Sequence, residues 1–238
     1  MTYFTRNQGY PFGVDLSQHN ASWDGKRIPD FNQFKRHEPE VQFVAMRTGI
    51  SWGYRDSQFA AYFTEAKRVG LCIMPYHVLY PVADAKRQMD AFLSILEGAN
   101  LAELRLVLDV ELAQGKTRWQ ITDVLAQSLE VLKQATGRYP IVYSRALWIN
   151  EHLQVEDLPQ VDWWLAQYIR SLESLPAPAA KGGEQVADPS DHAARSGNWW
   201  GWALHGLQPL EWQPGTTLGL LWSANCSANK LPDRQFTL

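Results

Sequence analysis

Little cysteine, no long apolar run and no surplus of either charge set the first limits on this chain. Its two cysteines, Cys72 and Cys226, have no C-x-x-C or histidine-spaced partner, so a metal site is not expected. Cys72 lies in the run GLCIMPY and reads as a small buried hydrophobe; the sequence permits one disulfide between the two and does not require it. No stretch reaches the roughly 18 apolar residues of a membrane span, so membrane insertion is not expected. The opening MTYFTRNQGYPFGVD lacks the basic start and apolar core of a secretory signal, which points to synthesis in the cytoplasm. A net charge of −3 leaves no basic footprint for nucleic acid. No G-x-G-x-x-G or phosphate loop follows the first strand-like segment, and no internal repeat suggests an appended binding array.

What remains is an ordinary globular composition, 45% hydrophobic and 20% charged, in a length of 238 residues that suits one undivided α/β barrel. Phe12–Asp15, Phe43–Arg47, Leu71–Tyr76, Leu104–Val110, Pro140–Tyr143, Trp163–Tyr168 and Leu218–Trp222 read as strands. Between them, Phe59, Tyr62, Phe63 and Ala66 recur at helical spacing up to Gly70. Ala85, Met89, Phe92 and Leu96 mark another helix. Thr117 caps a long one that turns Ile121, Val124, Leu125, Leu129 and Leu132 inward and stops at Gly137. Strand, helix, strand in repetition predicts a parallel sheet with helices outside it, in a single domain over residues 1–238.

One segment breaks the rhythm. From Ser171 to Asn198 the chain is rich in Ala, Pro, Ser and Gly and reads as a long surface excursion. Trp199, Trp200, Trp202 and Trp212 follow it, either folding it back on the body or walling a cleft, and packing favours the first. Eleven tryptophans in all also suit a groove where sugar rings stack on aromatic faces.

The chemistry concentrates in Asp109-Val110-Glu111, which closes the apolar run Leu104–Val110. Residues two apart on a strand share a face, so the two carboxyls project together with Cα atoms roughly 6.5–7 Å apart. Like charges held side by side at the mouth of a buried strand raise the pKa of at least one. A carboxyl kept protonated near neutral pH can act as a general acid while its ionised neighbour stabilises a developing cation, the requirement of glycosidic cleavage. Asp15 also ends a strand, and the C-terminal strand ends are where α/β barrels carry their sites.

These residues resemble the lysozymes of glycoside hydrolase family 25, N-acetylmuramidases of bacterial peptidoglycan. GVDLSQHNASWD (13–24) is similar to the family's G-[IV]-D-V-S start, with Asp15 in the acid position. Residues 43–78 resemble its second strand, helix and third strand, including Asp56, Phe59 and the Tyr76-His77 pair. LVLDVE (106–111), TGRYPIVYS (136–144) and WWLAQY (163–168) resemble later strands in the same order. The resemblance implies an irregular, flattened, TIM-like (β/α) barrel, no cofactor and no metal. It implies Glu111 as general acid and retention of configuration, with the substrate's own N-acetyl group assisting and Asp109 orienting it. It places Asp15 across the site, and Tyr76, Tyr143, Trp164 and Tyr168 on the saccharide. Peptidoglycan glycan strands are the expected partner of a monomer acting at the cell wall, in phage-borne or bacterial lysis.

The chain departs from the family pattern near its end. Leu221-Trp222-Ser223-Ala224-Asn225-Cys226 lacks the usual glutamine, and Pro232-Asp233-Arg234-Gln235-Phe236 only approximates the family's closing acid motif, with Asp233 the candidate fourth acid. Pro75 stands in the third strand where a small residue is usual. Two other readings therefore stay open: a glycan-binding protein on the same barrel without turnover, and a glycosidase for another amino-sugar polymer such as chitin. His77 reads as a hydrogen-bonding barrel residue and Arg47 as a partner for an inner acid. Ser17 and Ser144 lack a histidine in triad order, so serine hydrolase chemistry is not expected.

Overall fold

A computed structural model describes residues 12–37, 41–168, 199–205 and 217–220. Along the chain run β1 (Phe12–Leu16), α1 (Phe31–Arg36), β2 (Phe43–Ile50), β3 (Tyr54–Arg55), α2 (Phe59–Arg68), β4 (Cys72–Val78), α3 (Ala85–Ile95), β5 (Val107–Asp109), α4 (Arg118–Thr136), β6 (Ile141–Arg145), α5 (Ala146–His152), β7 (Trp163–Tyr168), β8 (Trp199–His205) and β9 (Thr217–Leu220). The sheet order is β8-β7-β6-β5-β4-β2-β1-β9, with β3 hairpinned onto β2. β1, β2 and β4 to β8 run parallel to one another, and β3 is antiparallel to β2. β9 departs from the expected parallel sheet by running antiparallel to β1. The result is a mixed α/β fold whose curled sheet forms a half-barrel, and no ladder joins β8 to β9 among the described residues.

Strand alternation divides the core in two. Val14, Leu16, Val44, Met46, Ile73, Leu108, Val142 and Leu165 point outward and pack with Phe31, Phe34, Tyr62, Met89, Phe92, Leu125, Leu129 and Trp148 of the helices. Each such side chain contributes about 1.5–3 kcal/mol when buried, so this layer carries most of the fold's apolar stabilisation. The other parity, Phe43, Ala45, Met74, Val107, Ile141, Trp164 and Ala166, forms a smaller cluster on the inner face. Gly13 is required there, since a Cβ on it would sit 2.1 Å from the Phe43 ring.

Helix α4 follows its sequence closely. The Thr117 side chain accepts from the Gln120 amide at 3.3 Å, Gln120 reaches back to the Thr117 amide at 3.1 Å, and Gly137 closes the helix at φ 78°. Ile121, Leu125, Leu129 and Leu132 are fully buried, while Val124 lies at the edge of that face. Other elements escape the sequence pattern. α1 is 6 residues and α5 is 7 residues long, too short for a helical period to show, although Asp30 caps α1 by accepting from the Asn32 amide. Trp199, Trp200 and Trp202 lie in β8, paired with β7. The 171–198 excursion and Trp212 lie outside the described residues. β5 is shorter than the apolar run that announces it, yet backbone bonds from Arg105 to Ile73 and from Val110 to Tyr143 extend its pairing at 3.1 and 2.9 Å. Cys72 opens β4 partly buried and disulfide-bonded, which corrects its reading as a simple buried hydrophobe.

Pro75 is buried within β4, where proline withholds one ladder donor. Next to it the β2–β4 register slips between Arg47 and Gly49. Thr48, the extra residue, donates its hydroxyl to the Tyr76 carbonyl at 2.9 Å. Bulges of this kind re-aim side chains beside sites. Gly13→Ala should cost about 1–3 kcal/mol through overpacking against a ring that cannot retreat. A lowered urea midpoint with an unchanged slope would show it, and an unchanged midpoint would contradict the inner-face packing.

Candidate active site

The inner face is apolar at its floor and polar where the strands end. Following its parity toward the C-terminal ends leads to Asp15 on β1, Arg47 on β2, Tyr76 on β4, Asp109 and then Glu111 on and after β5, and Tyr143 and Arg145 on β6. Register aligns Asp109 with Tyr143, and Tyr143 with Trp164. Tyr143 and Trp164 meet edge to face, 4.9 Å between centroids at 74°.

Burial governs the acids. It pushes the Asp15 carboxyl up to about 7, opposed by a hydrogen bond that the Tyr76 hydroxyl donates and by the Arg47 charge. Asp109 is raised well above the ordinary carboxylate range, first by burial and then by the charges of Glu111 and Asp15, against a smaller pull from Arg47. Glu111 is also raised by burial, and the Arg145 guanidinium opposes the shift. Its Nε stands 3.0 Å from Glu111 Oε1, with the arginine nearly half exposed. Asp15 Oδ1 and Asp109 Oδ1 are buried without a hydrogen-bond partner among the described residues. An unpartnered buried acceptor is costly.

Supporting bonds fix the rim. Arg47 Nε donates to Asp56 Oδ2 at 2.9 Å, and the buried Asp56 also accepts from the Gln18 and Gln58 amides, each at 3.0 Å. One carboxylate thus ties the loop after β1 to the start of α2 and holds Arg47. Ser144 is buried, and its hydroxyl donates to the Val110 carbonyl at 2.6 Å, latching β6 to the residue between the two acids. His77 points to the opposite face from Tyr76. There it stacks on Phe92 at 5.1 Å between centroids and approaches Thr48 Oγ1 at 3.3 Å. Burial pushes its imidazole down to about 4, so it stands as a neutral packing residue.

The structure therefore brings Asp15, Asp109, Glu111, Tyr76, Tyr143 and Trp164 to one face. Tyr168 closes β7 opposite His205 in the backbone register, and its side chain lies outside the description. Asp233 lies outside the described residues. Arg145 escaped the sequence reading, although it stands two residues past Tyr143 and so shares its face. Among the described residues no group of three or more His, Cys, Asp or Glu could hold a metal ion. No described helix is long and apolar enough to cross a membrane.

The raised acids have a stability signature. The folded state holds the Asp15 proton up to about 7, whereas the unfolded chain releases it in the ordinary carboxylate range. Stability is therefore full below that range and falls as pH climbs toward 7. Asp15→Asn removes this loss, so its melting temperature should gain on the wild type progressively from pH 4 to pH 7. Parallel melting curves would contradict the burial of Asp15.

Comparison with known proteins places these features. The model of "Glycosyl hydrolases family 25" matches residues 14–184. The autolytic lysozyme of Clostridium acetobutylicum is 28% identical over 158 residues, 66% of this chain and 44% of that protein. The uncharacterized protein YegX of Escherichia coli K12 is 24% identical over 156 residues, 66% of this chain and 56% of that protein. The chain thus spans about half the length of these curated relatives. A family 25 glycosyl hydrolase from Bacillus anthracis superposes with a TM-score of 0.69 at 17% identity, covering 93% of both chains. The spore cortex lytic enzyme SleM of Clostridium perfringens gives 0.68 at 20% identity, over 94% of this chain and 70% of that one. The family match takes in Asp15, Asp109 and Glu111 and most of the chain's length, and the chain belongs to glycosyl hydrolases family 25.

Proposed function

We propose that this chain is a muramidase that hydrolyses the β-1,4 bond between N-acetylmuramic acid and N-acetylglucosamine in bacterial peptidoglycan, acting at the cell wall as a monomer. The observation that carries this reading is the half-buried acid pair at the end of β5, with Asp109 Oδ1 buried and without a hydrogen-bond partner among the described residues beside Glu111. Family membership supports the reaction class, and it supports closure of the half-barrel into a flattened TIM-like barrel.

In the proposed sequence Glu111 gives its proton to the bridging oxygen as the C1–O bond breaks. The acetamido oxygen of the muramic acid closes on C1 to form an oxazolinium ring, the substrate-assisted exception to the two-carboxylate scheme. Asp109 accepts the acetamido N–H and steadies the cation. Among the described residues nothing donates to its buried oxygen, which favours the neutral form, whereas a donor from the substrate favours the ionised form. Water then attacks C1 from the face the leaving group vacated, giving up its proton to the Glu111 carboxylate as the oxazolinium C1–O bond breaks and the acetamido group is restored, and configuration is retained. Asp15, steadied by the Tyr76 hydroxyl, binds sugar or water across the site. Tyr143 and Trp164 offer aromatic surface to the saccharide.

The alternative of a glycan binder without turnover draws on one observation, the Arg145 contact that occupies Glu111. Product analysis separates the two. Purified peptidoglycan treated with wild type should yield new reducing-end muramic acid, while Glu111→Gln should be slower by roughly 10²–10⁴-fold, the usual worth of a general acid. Reducing-end glucosamine would overturn the bond assignment, and the absence of products with retained binding would favour the binder. Arg145→Gln should move the upper pH limb of kcat/KM to higher pH, because losing the cation lets Glu111 keep its proton longer. An unmoved limb would detach Arg145 from the acid's titration.

A further inference from the structure

We propose that the rim around the acid well is a wall-docking platform, whose exposed aromatic and cationic side chains hold anionic, peptide-bearing glycan beyond the sugars at the scissile bond. This rests on the peptidoglycan reading of the site and adds residues that the reaction itself does not use.

The first observation is positional. The exposed large apolar side chains among the described residues are Trp23 at 99%, Trp52, Tyr54, Val82, Trp119 at 63% and Leu147. Every one follows the C-terminal end of a parallel strand. Trp23 lies between β1 and α1, Trp52 and Tyr54 in the hairpin after β2, Val82 between β4 and α3, Trp119 in the first turn of α4 and Leu147 in the first turn of α5. In a parallel sheet those segments open at one end, here the end with Asp15, Asp109 and Glu111. The long loop carrying Trp23 stays at that end, since Gln58 at the start of α2 donates to the Gly25 carbonyl at 3.2 Å. The described connections at the opposite end expose no large apolar side chain. Isolated surface apolar groups are ordinary, but their confinement to the face of the site marks a binding surface.

Charge supplies the second observation. α2, α3 and α4 also start at this end, and none has an acid in its first turn. Lys86 and Arg87 open α3 and Arg118 opens α4. Cations oppose the positive end of a helix dipole; Lys86 is held by an acid one turn on and Arg118 donates to the Leu153 carbonyl, so Arg87 is the cation for which helix structure does not account. The N-cap acid of α3, Asp84, is engaged by the Arg87 amide at 2.7 Å, and Lys86 reaches Asp90 at 2.7 Å. The Arg87 guanidinium lies 3.4 Å from the Trp52 ring centroid, so cation and indole are presented as one unit.

A neutral glycan would use the aromatic surface alone. Peptidoglycan offers sugar faces to the indoles and stem-peptide carboxylates to the cations. A nucleic acid would bring phosphates toward three carboxyls in the well, whereas a glycan brings uncharged sugar there.

The test measures co-sedimentation with purified sacculi in a Glu111→Gln background, and cleavage of a short, soluble, peptide-free muramoyl oligomer with Glu111 intact. Trp23→Ala with Trp119→Ala should weaken sacculus binding about tenfold or more. Arg87→Gln should weaken it and flatten its dependence on salt. Oligomer kcat/KM should stay within about twofold for all three, which also shows that they fold. Unchanged sacculus binding, or equal loss on sacculi and oligomer, would overturn the platform. Release from sacculi by duplex DNA at low concentration would overturn it in favour of a nucleic-acid surface. If the parent protein neither binds nor cleaves sacculi, the peptidoglycan reading itself fails. If it cleaves them while the rim variants bind as tightly, the platform alone fails.

Discussion

Holding half-buried acids close together at the ends of parallel strands is the constraint on which this site depends. Asp15 and Asp109 are raised chiefly by burial, and each leaves an Oδ1 without a partner among the described residues. Such atoms need compensation nearby, and it comes from the Tyr76 hydroxyl and the Arg47 charge. Arg47 can serve because Asp56 holds it, and Asp56 can hold it because two backbone amides satisfy the remaining lone pairs. The chain of dependence runs from the loop after β1, through a buried ion pair, to the acids. Removing one partner of such a pair costs far more than the pair itself contributes.

The two-faced sheet lets the molecule carry this burden. Helices cover the outward parity, and that layer supplies the cooperative core. The inner parity contributes a small apolar floor and then turns polar where the strands end. An unfavourable carboxyl environment at that end draws on stability generated on the other side of the sheet, so strain at the site need not unfold it. The bulge at Thr48 and the latch from Ser144 to Val110 sit at the same end. Both use side chains to fix backbone beside the acids rather than to touch a substrate.

The Glu111–Arg145 contact gives the acids unequal surroundings. Asp109 lies between two carboxyls, whereas Glu111 faces a guanidinium on its open side. Environments that differ this much are how two carboxyls separated by one residue acquire different roles. The same open side leads to the rim, where indoles and the Arg87 guanidinium stand beside the exposed carboxyls of Asp24 and Asp84.

Much of this was legible in the residues. The α4 cap at Thr117, its stop at Gly137, and the strand over Trp163–Tyr168 follow from local chemistry and period, and they stand as read. The apolar run ending in Asp109-Val110-Glu111 and the strand-end position of Asp15 singled out the three acids, and strand parity put Asp109 and Glu111 on one face. α1 and α5 were missed because one or two turns show no period, and β8 because its tryptophans carry no alternation. Sequence by itself determined most of the parallel strands and the face their residues take, because those depend on neighbours a few positions away. Tertiary structure alone decided that Asp15 lies near Asp109, that Arg145 meets Glu111, that His77 packs on Phe92, and that β9 runs against β1. Those pairings depend on register between strands distant in the chain, and register is set by the whole sheet at once.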